Sequence, residues 1–261
     1  METTYLFIDG GYLKQAYADS VQPWFGSAGE MDFRLLTDSF KARKIFYYDC
    51  EDKDRRASES ESDFKLRLKE QDEFFRKIRE LPGCHVRLGQ LVGSKEKRRR
   101  QKEVDIRLAV DMMNHTVRRN MTKAMLLSGD RDFKPLVESL VDMGIHVELA
   151  ADAKSASQDL AHAADSFKKI TFEDYHSWSI KPLQSAYPLG ILTINRPPDD
   201  AVVLKSGSFR GDKVTLHKWR DGFFYIQAPN FTHGHGMTWQ YHDLERLQLY
   251  FQLRYGDILW D

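Results

Sequence analysis

The chain has 261 residues, 41% of them hydrophobic, enough for one large domain with a small companion or for two modest ones. Its 39 Lys and Arg balance 39 Asp and Glu, which excludes a chain-wide field drawing in nucleic acid or membrane and makes any charge argument local. The two cysteines, Cys50 and Cys84, exclude a disulfide framework or a zinc quartet. With no signal-like N-terminal segment and no apolar stretch able to span a bilayer, the expected setting is reducing and cytoplasmic.

Thr4 to Ile8 is a short apolar run that predicts a buried strand, closed by Asp9-Gly10-Gly11. Residues 12–20 read as helix, Pro23 to Gly29 as loop, Phe33 to Phe40 as a second helix and Lys44 to Cys50 as a second strand. Glu51 to Asp63 is almost wholly polar and reads as a loop. Helical spacing returns at Phe64, Leu66, Leu68, Phe74, Phe75 and Ile78 and stops at Pro82-Gly83, after which His85 to Val92 alternates as a strand. Of the eight residues Lys95 to Lys102, six are basic and one is acidic. This basic loop leads into Glu103-Val104-Asp105, at the head of an amphipathic helix with Val104, Leu108, Ala109 and Met112 on one face. A first-turn carboxylate suits the helix dipole, which is a sufficient structural reason for Asp105; Asp111, well rotated from it, reads as structural.

Ala124 to Leu127 reads as a buried parallel strand, broken by Ser128-Gly129 just before Asp130 and Asp132. Ligands of open α/β sheets bind outside the carboxyl ends of the strands, so these acids face the expected crevice. Two carboxylates so close repel unless a cation intervenes, and an all-oxygen site suits Mg²⁺ or Mn²⁺. Asp132 is equally well explained as the N-cap of the next helix, Phe133 to Met143. Gly144 ends that helix, Ile145 to Ala150 reads as a fifth strand, and Ser155 to Lys169 as a fifth helix with Leu160, Ala164 and Phe167 inward. The alternation over residues 4–169 predicts parallel strands joined by right-handed crossovers, a doubly wound α/β sheet with helices on both faces.

From about Lys181 the texture changes to short β-branched runs punctuated by Pro182, Pro188, Pro197 and Pro198, which predicts a small, mainly β C-terminal module. Its aromatics serve either as core or, at positions such as Trp219 and Trp239, as stacking platforms for bases. His233-Gly234-His235-Gly236, with His242 beyond, has no Cys or acidic partner at a recognised metal-ligand spacing.

The motifs resemble those of the NYN domain family, PIN-like metal-dependent ribonucleases, in its LabA-like branch. Four places carry the resemblance: Asp9-Gly10 after an apolar strand, Lys102-x-Val104-Asp105 opening a helix, Ser128-Gly129-Asp130-x-Asp132-Phe133 with Pro135-Leu136 after it, and Ala163-Ala164-Asp165-x-Phe167. It covers about residues 3–172. Many members carry Asn three residues after the first Asp, where this chain has Tyr12.

The resemblance implies a nuclease domain over residues 1–172; the change of texture beyond it, which resembles no family, predicts a linker at 173–180 and a small β-rich module at 181–261 that selects or presents substrate rather than performing chemistry. The resemblance also implies that Asp9, Asp105, Asp130 and Asp132 act as catalytic residues and hold one or two Mg²⁺ or Mn²⁺ ions. Lys102, Arg98, Arg99, Arg100 and Ser128 would contact substrate. The expected partner is single-stranded or structured RNA, with DNA and a homo-oligomer left open and no membrane. A haloacid-dehalogenase reading fails because Gly11 stands where its second Asp is needed, and a toprim reading because Asp9 stands where Glu is expected. A nucleic-acid-binding protein that keeps the fold without the activity is the main alternative.

Overall fold

A computed structural model describes residues 2–261 except 57, 90–96, 153, 221, 233 and 234, and except the side chains of 97–102, 232 and 235. Contacts divide the chain into two compact units: Met1–Ala18 with Met31–Thr171, and Asp19–Glu30 with Phe172–Asp261.

The first unit is a six-stranded sheet built from Thr4–Asp9 (β1), Lys44–Cys50 (β2), Cys84–Gly89 (β3), Lys123–Leu127 (β4), His146–Asp152 (β5) and Ser166–Ile170 (β6). The order is β3-β2-β1-β4-β5-β6, with every pairing parallel. Alternation along β1 sends Tyr5 and Phe7 to one face and Leu6 and Ile8 to the other, all of them buried. The Tyr5 face packs Phe46, Leu126 and Leu149 against Val104, Leu108 and Met112 of helix Lys97–Val117 (α4) and against Val137 and Leu140 of Lys134–Asp142 (α5). On the opposite face lie Phe33–Phe40 (α2), Glu61–Arg79 (α3) and the part of Gly10–Phe25 (α1) that belongs to this unit, up to Ala18. There Tyr47, fully buried, is boxed by Phe33, Phe74 and Phe75 with ring centroids 5.3, 5.9 and 6.4 Å away. Helices thus cover both faces of a parallel sheet, and the strand order reverses between β1 and β4. That reversal is the point at which a crevice opens above such a sheet.

Several expectations need correcting. Helix α1 runs through Pro23 to Phe25 and only Gly26, at φ 70°, ends it; its last turns bury Val21, Trp24 and Phe25, which outweighs the proline. Ser155 to Lys169 is not one helix. A short helix, Gln158–Ala163 (α6), ends where Ala164 turns extended, and the Asp165 carboxylate accepts from Val147 N at 2.8 Å. That bond ties the chain to the start of β5, so residues 166–170 continue as the edge strand β6 and Phe167 stays 40% exposed. The basic run, expected as a loop over Lys95 to Lys102, is helical backbone from Lys97; its side chains and residues 90–96, including the end of the strand expected to reach Val92, lie outside the described residues.

Residues 173–180 are no linker. They form most of helix Phe172–Ser177 (α7) and the turn after it, with Tyr175, His176, Trp178 and Ser179 buried inside the second unit. This unit also contains Lys181–Ala186 (α8), Leu244–Arg254 (α9) and a second sheet. Its strands are Leu192–Ile194 (β7), Val202–Phe209 (β8), Asp212–Lys218 (β9), Phe224–Thr232 (β10), His235–Tyr241 (β11) and Leu259–Trp260 (β12). They pair antiparallel in the order β12-β8-β9-β10-β11-β7. Register places Leu216, Ile226 and Trp239 side by side on one face. Trp239, 1% exposed, meets Phe231 and Phe251 edge-on at 4.7 and 5.0 Å. It is a core residue, not a stacking platform, because a six-stranded sheet under one helix needs its largest ring inside. Trp219 donates its indole N–H to Asp200 at 2.7 Å.

Candidate active site

The first strand delivers Asp9 to the carboxyl edge of the sheet and the backbone then turns at once into α1. Gly10 permits this, since a Cβ there would lie 2.5 Å from the Tyr47 ring and 2.6 Å from Tyr48 O. Both Asp9 oxygens are held: Oδ1 accepts from Tyr12 N at 3.0 Å and Oδ2 from the Ser128 hydroxyl at 2.9 Å. Burial raises the Asp9 carboxyl above the ordinary carboxylate value, the two hydrogen bonds oppose that, and Asp130 and Asp49 add repulsion.

The neighbouring strand β4 supplies the second arm. Ser128 Oγ also accepts from Asp130 N at 3.2 Å, and Asp130 Oδ1 caps the single 3₁₀ turn Arg131–Phe133 by accepting from Asp132 N at 2.9 Å. Ser128, expected to touch substrate, is fully buried, and its hydroxyl is committed to positioning Asp9 and Asp130. Helix α4 supplies the third arm, Asp105. Its carboxyl is pushed up to about 7, first by burial and then by repulsion from Asp9, Asp130 and Asp132.

Asp9, Asp105 and Asp130 line one cleft of about 570 Å³, together with Tyr12, Gln15, Asp49, Val104 and Ser155. Asp132, exposed and not among the lining residues, stands close enough to repel Asp105. Arg98, Arg99, Arg100 and Lys102 lie outside the described side chains.

Three features of the cleft escape a reading of the sequence. Asp49 stands one residue before the end of β2 as Asp9 stands at the end of β1, an apolar run reaching a carboxylate, and that is the available signal. It is buried, accepts from Tyr47 OH at 2.8 Å and pairs with Lys14 at 2.7 Å, so unlike the other three acids of the cleft it has a cationic partner among the described residues. Tyr12 closes one wall: its hydroxyl accepts from Asp152 N and bonds Ser155 Oγ, both at 2.9 Å. Its ring lies over Gly129, where a Cβ would sit 2.6 Å from Cε2. The phenol thus ties the start of α1 to the loop after β5 and brings Ser155 to the cleft, which no sequence spacing displays.

Among the described residues, Asp9, Asp105 and Asp130 have no cationic partner, and their crowding is part of what lifts Asp105. Carboxylate oxygens alone fit a hard divalent cation. Among the described residues no three acidic, His or Cys side chains stand close enough to enclose an ion. The fit is therefore to a largely hydrated ion held by one or two carboxylates, the usual habit of Mg²⁺.

A family model matches the chain over residues 3–171, that of the NYN domain. The chain belongs to the NYN domain family. This family is generally nuclease-like and divalent-metal dependent, and its match covers the first sheet and all four acids. No curated protein matches the chain. Among solved structures, a protein of unknown function from Vibrio parahaemolyticus RIMD 2210633 is similar at 18% identity and TM-score 0.49, over 66% of this chain and 94% of that one. A provisionally assigned oxidoreductase from Parabacteroides merdae ATCC 43184 is similar at 12% identity and TM-score 0.26, over 82% of this chain and 43% of that one. Among the described residues no helix is long and apolar enough to cross a membrane.

The raised Asp105 value sets a pH test of cation binding. A carboxyl at about 7 in the folded chain, against an ordinary 3.8, binds its proton more tightly folded than unfolded. Its charge therefore costs nothing below pH 3.8, costs progressively more as pH rises through 3.8 to 7, and costs most above 7. A divalent cation relieves that repulsion. Mg²⁺ or Mn²⁺ should raise Tm at pH 8, by an amount equivalent to about 2.7 kcal/mol at one hundred times Kd, and much less at pH 5. Differential scanning fluorimetry at the two pH values reads the effect; equal shifts, or none at pH 8, would contradict the assignment.

Proposed function

We propose that the chain is a metal-dependent ribonuclease that hydrolyses phosphodiester bonds of single-stranded or structured RNA. The observation that carries this is the convergence of Asp9, Asp105 and Asp130 from three elements on one cleft at the strand-order reversal, with their mutual repulsion unrelieved. Membership of a generally nuclease-like, metal-dependent family supports the same reading.

In this mechanism one or two of the carboxylates of Asp9, Asp130 and Asp105 would hold a largely hydrated Mg²⁺ or Mn²⁺, the remaining acid acting through its bound water. Bound there, the ion would acidify a water and withdraw charge from the phosphate. The chain's own residues set the geometry. Ser128 and the Tyr12 N–H fix the Asp9 carboxylate, so both oxygens keep one orientation. The 3₁₀ turn does the same for Asp130. Asp132, at the rim, either completes the ligand set or accepts the proton of the attacking water. Lys102 and Arg98 to Arg100, at the head of α4, neutralise phosphate oxygens as the strand of RNA approaches.

The Tyr12 hydroxyl is occupied by Asp152 and Ser155, so this side chain offers the cleft a ring wall where many relatives offer an amide. That observation favours, as the second reading, an RNA-binding protein with weak or no cleavage. End-labelled single-stranded RNA separates the two. The ribonuclease reading expects cleavage with Mg²⁺ or Mn²⁺ that EDTA abolishes; binding without cleavage at any metal concentration would leave the second reading standing.

A further inference from the structure

Helix α4 is apolar on two sides. One side, Val104, Leu108 and Met112, is the core face already described. The other carries Ile106, Val110 and Val117, which are 62%, 50% and 66% exposed, with half-buried Met113 between them. At ~100° per residue these four positions fall within about 60° of one another; Ile106, Val110 and Val117 are turned away from the core face, while Met113 also packs against the edge of the core cluster. They form a straight stripe about 16 Å long at 1.5 Å per residue. Three branched aliphatic side chains exposed by half or more in one line are not the scattered apolar residues of an ordinary surface. The spacing is 4-3-4, that of one coiled-coil seam.

We propose that this stripe is the interface between two copies of the chain, packed antiparallel about a two-fold axis through the middle of α4. The spacing argues for a second copy because 4-3-4 reads the same in both directions. Under a two-fold axis Ile106 meets the partner's Val117 and Val110 meets the partner's Met113, so the seam is self-complementary, as an isologous interface must be. The flanking charges agree. Glu103 and Arg118, both exposed, sit at opposite ends of the same flank, and an antiparallel partner brings each against the other twice. Arg107, between them, meets the partner's Asn114 and no like charge. A parallel pairing would set Glu103 against itself. Ala109, on the other flank, leaves room for close approach.

A single seam of this length lies at the small end of the range for specific interfaces, roughly 1,200 Å² or less in total. The dimer is therefore weak and concentration-dependent. It is independent of the chemistry assigned to the cleft, although Asp105 precedes Ile106 on the same helix.

The test is sedimentation velocity of the full chain from low to high micromolar concentration. Wild type should move from monomer to dimer over this range. Val110→Lys and Val117→Lys should each remain monomeric with Tm unchanged, while Leu66→Lys, an exposed apolar position on another helix, should dimerise as wild type does. Glu103→Arg should weaken the dimer and Glu103→Arg with Arg118→Glu should restore it. Orientation is read by oxidative crosslinking: a mixture of Ile106→Cys and Val117→Cys proteins should crosslink, and neither alone should beyond the wild-type background from Cys50 and Cys84. Crosslinking of Ile106→Cys with itself would overturn the antiparallel arrangement. A wild type monomeric at every concentration, or a Val110→Lys protein that still dimerises, would overturn the proposal outright.

Discussion

Asp130→Asn should lower RNA cleavage by about 10²–10⁴-fold while leaving the fold intact. The size comes from the several kcal/mol that a correctly held cation contributes to stabilising charge at a phosphoryl centre, at about 1.36 kcal/mol for each tenfold change in rate. The fold should survive because Asp130 is half-buried and the amide of Asn keeps an oxygen that can still cap the 3₁₀ turn through Asp132 N. Removing one negative charge also relieves Asp105, so the variant should be at least as stable as wild type without cation at pH 8. Single-turnover cleavage, with thermal unfolding in parallel, reads both effects. A variant that cuts within a few-fold of wild type would remove Asp130 from the reaction.

The second large effect is on stability, at Gly10. Any side chain there places its Cβ 2.5 Å from the Tyr47 ring and 2.6 Å from the Tyr48 carbonyl oxygen. The ring cannot retreat, being fully buried among three Phe rings and bonded through its hydroxyl to Asp49, and the carbonyl is part of the sheet. Gly10→Ala should therefore cost about 3 kcal/mol or more, a fall in Tm of about 6–12 °C for a domain of this size. Gly11→Ala is the control, since its Cβ would meet only an Asp9 oxygen, at 3.4 Å. Circular dichroism melts compare the two; equal Tm values for both variants would show that close approach of α1 to β2 is not what fixes Asp9.

Most of the first unit was legible because its strands are continuous apolar runs and its helices carry apolar residues at helical spacing; β1, β2, β4 and α5 fall where periodicity puts them. The strand-end logic that marked Asp9 and Asp130 could place both on one cleft because the carboxyl edge of a parallel sheet collects such residues. The same logic applied to Asp49, but a run ending Asp49-Cys50 lacks the glycines that drew attention to Asp9. Residues 164–170 were misread because helix and edge strand share a sparse apolar pattern, and the deciding bond, Asp165 to Val147 N, joins elements far apart in sequence. The unit boundary was hidden for a related reason. Trp24 stacks edge-on with Phe172 at 5.4 Å and donates to Tyr187 O at 3.1 Å, so the end of α1 belongs with the C-terminal part of the chain. Cutting the chain at Ile180 would strip Trp24 and Phe25 of partners such as Tyr187 rather than release a clean domain.

The most direct test of the central claim is one Mn²⁺ titration of metal-free protein with two readouts, bound Mn²⁺ by electron paramagnetic resonance and cleavage of a single-stranded RNA. Cleavage should be absent before metal is added, binding and cleavage should rise together in wild type, and both should be lost in Asp130→Asn. Cleavage in the metal-free protein, or Mn²⁺ bound as tightly by Asp130→Asn as by wild type, would contradict it.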